Sequence, residues 1–482
     1  MRIWMKSVLA FGCMMAASVA GEPQGTAADA ARLATALKRV PDTHKPKNII
    51  LFIGDGMGIN SVTAGRIFAS QQRGGDGIAY DLAFEKFPYS GFSRTHSADQ
   101  YVTDSANGIS AITTGVKTIN GAIGVDANVK SESCAGVAKA SIPTLFEDAK
   151  KRGLAAGVVT TSGITDATPA GAYGHTSTRG WRSDADLPKE AAAAGCTDLA
   201  WQLVDAPAAI RMDVALGGDR LDFLPAGGEV AGARQDGRNL IETWKKQSAK
   251  AAYVANAEDL AAVDAAKTDH LLGLFADGDL PSPVDKDYHK NVPDLAAMTR
   301  KAIEVLKKNK NGFILMVESA SIDKWHHRNN AYRALTDVDE LSNAVAAAAE
   351  MTSDKDTLII LTADHSHGLT LSGGLAIGAP VMGLAQSDGQ PKRDRQGNTY
   401  PALTYATGPG EGGGDEHPML DQKTATDPAF KQPALVPMNS AAHAGEDVPV
   451  YAQGPQAYLV SGSFESTYLY QVMRHALEVK PK

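Results

Sequence analysis

Asn48-Ile49-Ile50-Leu51-Phe52-Ile53-Gly54-Asp55-Gly56-Met57-Gly58 decides how the rest of the chain is read. A run of branched apolar residues, too short for a helix and ended by glycines, reads as a buried strand of a parallel sheet. Asp55 then stands where that strand leaves the sheet, at the edge where open α/β folds gather their chemistry. Glycines on both sides of the carboxylate leave room for a ligand to approach backbone and acid together. A polar loop with glycines for its turn is the plainer reading, and the other strands decide between the two.

Working outward, residues 311–317 read as a second strand with Glu318 directly after it, and Thr357–Thr362 as a third running into Asp364-His365. Residues 157–161 form another apolar run, followed by Thr165-Asp166-Ala167-Thr168-Pro169, and 213–218 a short strand and turn. Helical stretches are expected at 58–72, 142–153, 332–351 and 464–479. This alternation predicts an α/β fold: a large, mostly parallel central sheet flanked by helices on both faces. Residues 386–440, rich in Gly, Pro and polar groups, predict a loop-rich insertion near the C-terminal part rather than a second core. The stretch 220–291 is the least readable.

With 482 residues and 43% hydrophobic content, the chain can bury a large core. Its formal charge of -8 argues against a nucleic-acid-binding surface. The start, Met1-Arg2-Ile3-Trp4-Met5-Lys6, is basic, an apolar run follows to Val19, and Ser18-Val19-Ala20 are small. That predicts a signal peptide over 1–20, hence a periplasmic or secreted protein, an N-terminal arm over 21–47, and a single catalytic domain over 48–482. The apolar run is too short to span a bilayer and no other span is visible. Cys13 lies inside it, but Leu9 is one position too far back for a lipoprotein cleavage box, so no lipid anchor is expected. Cleavage leaves Cys134 and Cys196, which in an exported protein are expected to form a disulfide rather than a metal site; two buried thiols are the alternative.

Acids or acid–histidine pairs recur after the strands: Asp55, Glu318, Asp323 with His327, and Asp364 with His365. Parallel strands bring such ends together. Asp323 and His327, four apart, project from one face of a helical turn, whereas His326 points off it, beside the ligands or to the surface. Mixed carboxylate and imidazole ligands suit zinc, and oxygen-only sets suit magnesium. Tyr101-Val102-Thr103-Asp104-Ser105-Ala106-Asn107-Gly108 leads into a helix, which puts Ser105 at an N-terminus that favours an anion; a plain cap is the alternative.

Five motifs in order, Ile53-Gly54-Asp55-Gly56-Met57-Gly58, Thr103-Asp104-Ser105-Ala106, Val317-Glu318 to Asp323-Lys324, Thr362-Ala363-Asp364-His365 and His443-Ala444-Gly445-Glu446-Asp447, together resemble an alkaline phosphatase. The resemblance implies hydrolysis of phosphate monoesters with two zinc ions and one magnesium ion per subunit, and a homodimer. It implies that Asp55 bridges one zinc and the magnesium, that Asp364 and His365 complete that zinc, and that Asp323, His327 and His443 hold the other. Glu318 and Thr168 would complete the magnesium site with Asp166 beside it. Ser105 would attack phosphorus to give a phosphoseryl enzyme, with Arg179 clamping the phosphoryl oxygens and Lys324 reaching the rim of the site. Asp166, Thr168 and Lys324 resemble bacterial members. Tyr332-Arg333-Ala334-Leu335-Thr336, the His443 motif and the cysteine pair resemble vertebrate ones. Leu274-Phe275-Ala276-Asp277-Gly278 resembles part of the vertebrate calcium site, but Ala276 replaces a liganding glutamate, so calcium is not expected. His175 and His367 are divided between supporting the ligands and filling structural positions. His44, His96, His270, His289, His417 and His475 are expected to be structural or on the surface.

Overall fold

The computed structural model describes residues 26–228, 230–285, 291–410 and 419–478. Residues 1–20 with Cys13, and also His289 and His417, lie outside them. The chain divides into a short unit ending at Pro41, in which Thr26–Leu37 is helical, and a large unit from Asp42 onward. Among the described residues no helix is long and apolar enough to cross a membrane.

The large unit is built on a ten-stranded sheet. Its strands are β1 (Asn48–Gly54), β2 (Tyr89–Arg94), β3 (Ala155–Gly163), β4 (Val214–Gly218), β5 (Ala251–Val254), β6 (His270–Leu274), β7 (Phe313–Ser319), β8 (Thr357–Thr362), β9 (Val448–Gln453) and β10 (Gly462–Glu465). The spatial order is β10-β2-β9-β8-β1-β7-β3-β4-β6-β5. From β8 to β5 every pairing is parallel, and β9 is antiparallel to both neighbours.

Strand β1 runs through the middle, and all seven of its residues are buried. Its side chains alternate between two cores, as the two-residue period of a strand requires. Ile49, Leu51 and Ile53 join the core that includes Ile109 and Ile112 of the helix Ser105–Thr114 and Leu469 of the closing helix Thr467–Glu478. Ile50 and Phe52 join the core that includes Val62 of Ile59–Gln72, Met298 of Leu295–Leu306 and Val338 of Ala331–Met351. Each such fully buried side chain contributes roughly 1.5–3 kcal/mol relative to exposure. This two-sided burial is why the stretch reads as an unbroken apolar run.

The parallel register aligns the functional ends. Ile53 stands opposite Glu318 on one side and Thr362 on the other, and Thr160 of β3 stands opposite Glu318. Glu318 is therefore the penultimate residue of β7 rather than the residue after it, because β7 pairs with β1 as far as Ser319. The region after β8 also departs from expectation. Leu369–Leu371, Leu403–Gly408 and Ala434–Pro437 form a second, three-stranded sheet, and Leu369, Leu403, Tyr405 and Ala434 build a small core with Phe68 and Leu335. Its first strand precedes residue 386, so the pairing that gives the insertion its order lies partly outside the polar stretch. Cys134 and Cys196 are disulfide-bonded at a sequence separation of 62. In the chain-entropy treatment, closing a loop of that length stabilises by about 4 kcal/mol.

Candidate functional site

At the carboxyl end of β1 the chain turns at Gly54-Asp55-Gly56. Gly56 has φ +65°, and a Cβ there would come within 2.6 Å of His367, so only glycine lets the turn pass. Its N–H donates to Asp364 Oδ1 at 3.2 Å, tying the end of β1 to the segment after β8. Ser105 is the first residue of its helix, capped by Asp104, which accepts from Asn107 N–H. Gly108 lets that helix approach Asp364, where a Cβ would meet the Asp364 backbone oxygen at 2.9 Å. Ser105 Oγ consequently sits 3.1 Å from His365 Nε2 and donates to Asp55 Oδ2 at 3.4 Å.

Asp55, Asp364 and Glu318 crowd this edge. Burial, reinforced by Asp364, Asp323 and Glu318, raises the pKa of Asp55 well above the ordinary carboxylate range. Burial and then Asp323 push Asp364 up to about 6. Burial pushes Glu318 up to about 8, against the hydrogen bond it accepts from Thr160. Acids held together in this way require a cation for their ionised forms to coexist.

The histidines point to the same need. His327 Nδ1 donates to the Ala441 carbonyl at 2.6 Å and His443 Nδ1 to the Thr103 carbonyl at 2.9 Å. A neutral imidazole that donates through Nδ1 carries its lone pair on Nε2, the arrangement by which proteins orient metal-ligating histidines. The two Nε2 atoms face each other at 3.1 Å, and Asp323 carboxylate oxygens lie 3.3 Å from His327 and 3.4 Å from His443. Lone pairs facing a carboxylate at that distance fit a cation between them. Asp323, His327, His367 and His443 form one group of convergent donor atoms, and Asp55, Asp323 and His365 another, with all donors in a group within 4.8 Å of one another. Asp364 Oδ2 and Thr168 Oγ1 are buried without hydrogen-bond partners, as oxygens reserved for a metal would be. The two donor groups therefore fit metal ions.

The remaining expected residues form a charged cluster alongside. Asp166 caps the short helix Ala167–Ala170, and its Oδ1 accepts from Ala167 N–H. Arg179 donates to the same Oδ1 at 2.8 Å and to Asp104 at 3.4 Å, and its charge opposes the rise of the Asp55 pKa. Lys324 donates to Asp166 Oδ2 at 2.8 Å and pairs with Asp279 at 3.0 Å. Burial works against ionisation of Asp166, but the Lys324, Arg182 and Arg179 charges hold its pKa well below the usual range.

Several histidines resolve differently from their sequence reading. His367 belongs to the donor cluster, with Nε2 2.5 Å from Asp323 Oδ1. It lies on a two-residue strand, Ser366–His367, that pairs with His443–Ala444. The signal was available, because His365 and His367 are two apart and an extended chain sends alternate side chains to one side. His326 is not a surface group: it is buried between Ser61 and the Tyr405 hydroxyl, with its ring 5.3 Å from that of His367, beside the donor cluster. His175 holds the Gly124 carbonyl and Glu147, away from the donor cluster. Asp277, in the segment resembling a calcium site, is taken up by Arg220 at 2.6 Å. Arg182, which donates to Asp166 Oδ1 at 2.7 Å, was missed in the sequence: it follows Arg179 in an irregular loop with no periodicity to reveal it.

Fold and site define a metal-dependent hydrolase. The sequence model of the family described as Alkaline phosphatase matches residues 46–479, and the chain belongs to that family. It is 37% identical over 450 residues to the tissue-nonspecific alkaline phosphatase isozyme of Gallus gallus, covering 90% of this chain and 85% of that protein. It is 36% identical to an alkaline phosphatase of Gadus morhua, covering 90% of this chain and 92% of that one. Among solved structures, Thermus thermophilus alkaline phosphatase superposes with a TM-score of 0.67 at 23% identity, covering 93% of this chain and 94% of that one. The enzyme from the Antarctic bacterium TAB5 superposes with a TM-score of 0.62 at 23% identity, covering 91% and 99%. These two structures share the fold.

Proposed function

We propose that the family's activity, metal-dependent hydrolysis of phosphate monoesters through a phosphoserine, is carried in this chain by Ser105 and the residues around it. The observation that carries this reading is the placement of Ser105 Oγ. It lies at a helix N-terminus, within 3.1 Å of His365 and 3.4 Å of Asp55, with the Arg179 guanidinium fixed nearby by Asp104 and Asp166. Asp55, Asp364 and His365 would hold one zinc, and Asp323, His327 and His443 the other, with His367 bonded to Asp323. Asp364 Oδ2 lies 3.5 Å from His365 Nε2, beside the convergent donors of Asp55, Asp323 and His365. Asp55, Glu318 and Thr168 would hold magnesium, with Asp166 beside it. Bound there, the metals supply Lewis acidity that neutralises charge building on the attacking and leaving oxygens.

In the first step Ser105 Oγ gives up its proton and bonds to phosphorus as the ester oxygen departs with the bonding electrons and takes up one proton to become the alcohol, so that no net proton is gained or lost. Water then attacks the phosphoserine, releasing inorganic phosphate and restoring the serine. Arg179 offers a planar fork that matches two phosphoryl oxygens. Lys324 contributes a point charge at the rim. The helix amides at Ser105 favour the anion throughout.

The same reading includes removal of residues 1–20 on export to the periplasm or beyond, one catalytic domain over 48–482, and a homodimer. The test is Ser105→Ala with p-nitrophenyl phosphate, paired with acid trapping of phosphoserine in the parent. The expected result is labelled Ser105 in the parent, and in the variant a turnover lower by at least about a thousand-fold with metals still bound. A variant that keeps near-parental turnover would contradict the assignment.

A further inference from the structure

The carboxylate of Asp166 is shared more widely than a substrate-site acid needs. Its Oδ1 accepts from Arg179 Nη2 at 2.8 Å, from Arg182 Nη2 at 2.7 Å and from Ala167 N–H at 2.8 Å. Lys324 occupies Oδ2 at 2.8 Å. Two guanidinium groups thus compete for one oxygen, and only one of them, Arg179, also reaches Asp104 and influences Asp55. Arg182 faces the other way: its Nη1 lies 3.7 Å from Asp219. Asp219 lies 2.6 Å from the Thr165 hydroxyl, which is also 2.8 Å from Asp222. Arg182 therefore links Asp166 to an acidic framework behind the site and has no contact with the donor atoms of the metal clusters.

We propose that Arg182 is a positioning residue of the phosphate site, acting on Arg179 through the Asp166 carboxylate they share. An ion pair between one guanidinium and one carboxylate is strong and geometrically exclusive. If Arg179 alone held Oδ1, an incoming phosphate dianion would have to compete with a fully available carboxylate for the fork. With Arg182 on the same oxygen, part of that negative charge is already matched. Asp166 still aligns Arg179, but it competes less well with phosphate for the guanidinium. Arg182 thereby sets how strongly the site holds phosphate, as substrate group and as product, without touching it. The inference rests on the phosphomonoesterase reading above.

A double-mutant cycle tests it. Binding of inorganic phosphate to fully metal-loaded enzyme is measured by calorimetry for the parent, Arg182→Gln, Asp166→Asn and the double variant, with metal content checked in each. Arg182→Gln is expected to weaken phosphate about five-fold in the parent and less than about two-fold in the Asp166→Asn background, where there is no carboxylate to share. Arg182→Lys, which returns a charge to Asp166, is expected to stay within about two-fold of the parent. Arg182→Ala gives an independent reading of the same arm should Arg182→Gln not fold. An unchanged affinity in the single variant overturns the proposal, as does an equal loss in both backgrounds or a lysine variant as weak as the glutamine one. A parent that does not bind phosphate would overturn the functional reading instead.

Discussion

Two neighbouring regions of the site solve the problem of buried charge in opposite ways. Around Asp166 the acid is met by protein cations: Arg179, Arg182 and Lys324 all reach its carboxylate. Around Asp55, Glu318 and Asp364 it is not. These acids press on one another and their pKa values rise, and Asp364 Oδ2 is left without a hydrogen bond. A protein leaves buried acids without protein cations where a proton or another cation supplies the charge. In the reading proposed above, the first region is completed by the chain itself and the second by metal. The same reading separates their tasks: the first would orient the phosphoryl group, and the second would activate the nucleophile and the leaving group.

The contrast can be broken most forcefully with the metal-free protein. Asp55, Asp364 (about 6) and Glu318 (about 8) have folded-state pKa values above their unfolded ones. Groups shifted upward stabilise the fold when protonated, and that stability is lost as pH rises from the unfolded value through the folded one. The metal-free protein should therefore melt lower at pH 8 than at pH 6.5, by roughly 3 °C. Asp323 and Asp166 are shifted downward, so their contribution is lost only as pH falls below the ordinary carboxylate range, outside this window. His326, His365 and His367 are also shifted downward by burial, and their contribution is lost only as pH falls below about 6.5. Metal-loaded protein should show no such fall between pH 6.5 and 8. Calorimetric scans of both forms across this range check the difference. A metal-free protein whose melting temperature is flat or rises with pH would break it.

A smaller effect sharpens the other side. Lys324 is paired to Asp166 and Asp279 and presents a point charge rather than a fork. Such a charge favours bound phosphate about as much as the transition state, and uniform binding does not raise turnover. Lys324→Ala should raise the inhibition constant for inorganic phosphate several-fold, roughly 1 kcal/mol, while keeping much of the turnover. Inhibition assays at fixed pH and full metal loading decide it. An unchanged constant would mean that Lys324 serves only its ion pairs.

How much of this was legible in the sequence follows from how local the physics is. β1 and β8 are buried on both faces, so their apolar runs stand out and their boundaries hold closely. Asp323 and His327 were readable as a pair because a helical turn fixes where residues four apart point. His367 was half-legible, since its position two after His365 matters only once the segment is known to be extended. Arg182 was not legible, because its contact with Asp166 is fixed by a loop of irregular conformation. The edge strand β5 and its neighbour β6, of four and five residues, gave too short a pattern to separate from the surrounding polar sequence. The ordering of the insertion was hidden because its small sheet borrows a strand from before it.

In the proposed reading the convergent acids and imidazoles at the ends of β1, β7 and β8 are incomplete without metal. The most direct measurement is the rate of p-nitrophenyl phosphate hydrolysis together with elemental metal content, after exhaustive chelation and then after stepwise return of zinc and magnesium. Chelation should lower the rate at least about a thousand-fold, roughly 4 kcal/mol of barrier, and the rate should return with the metals. An undiminished rate in protein shown to carry less than one metal ion per chain would contradict that reading.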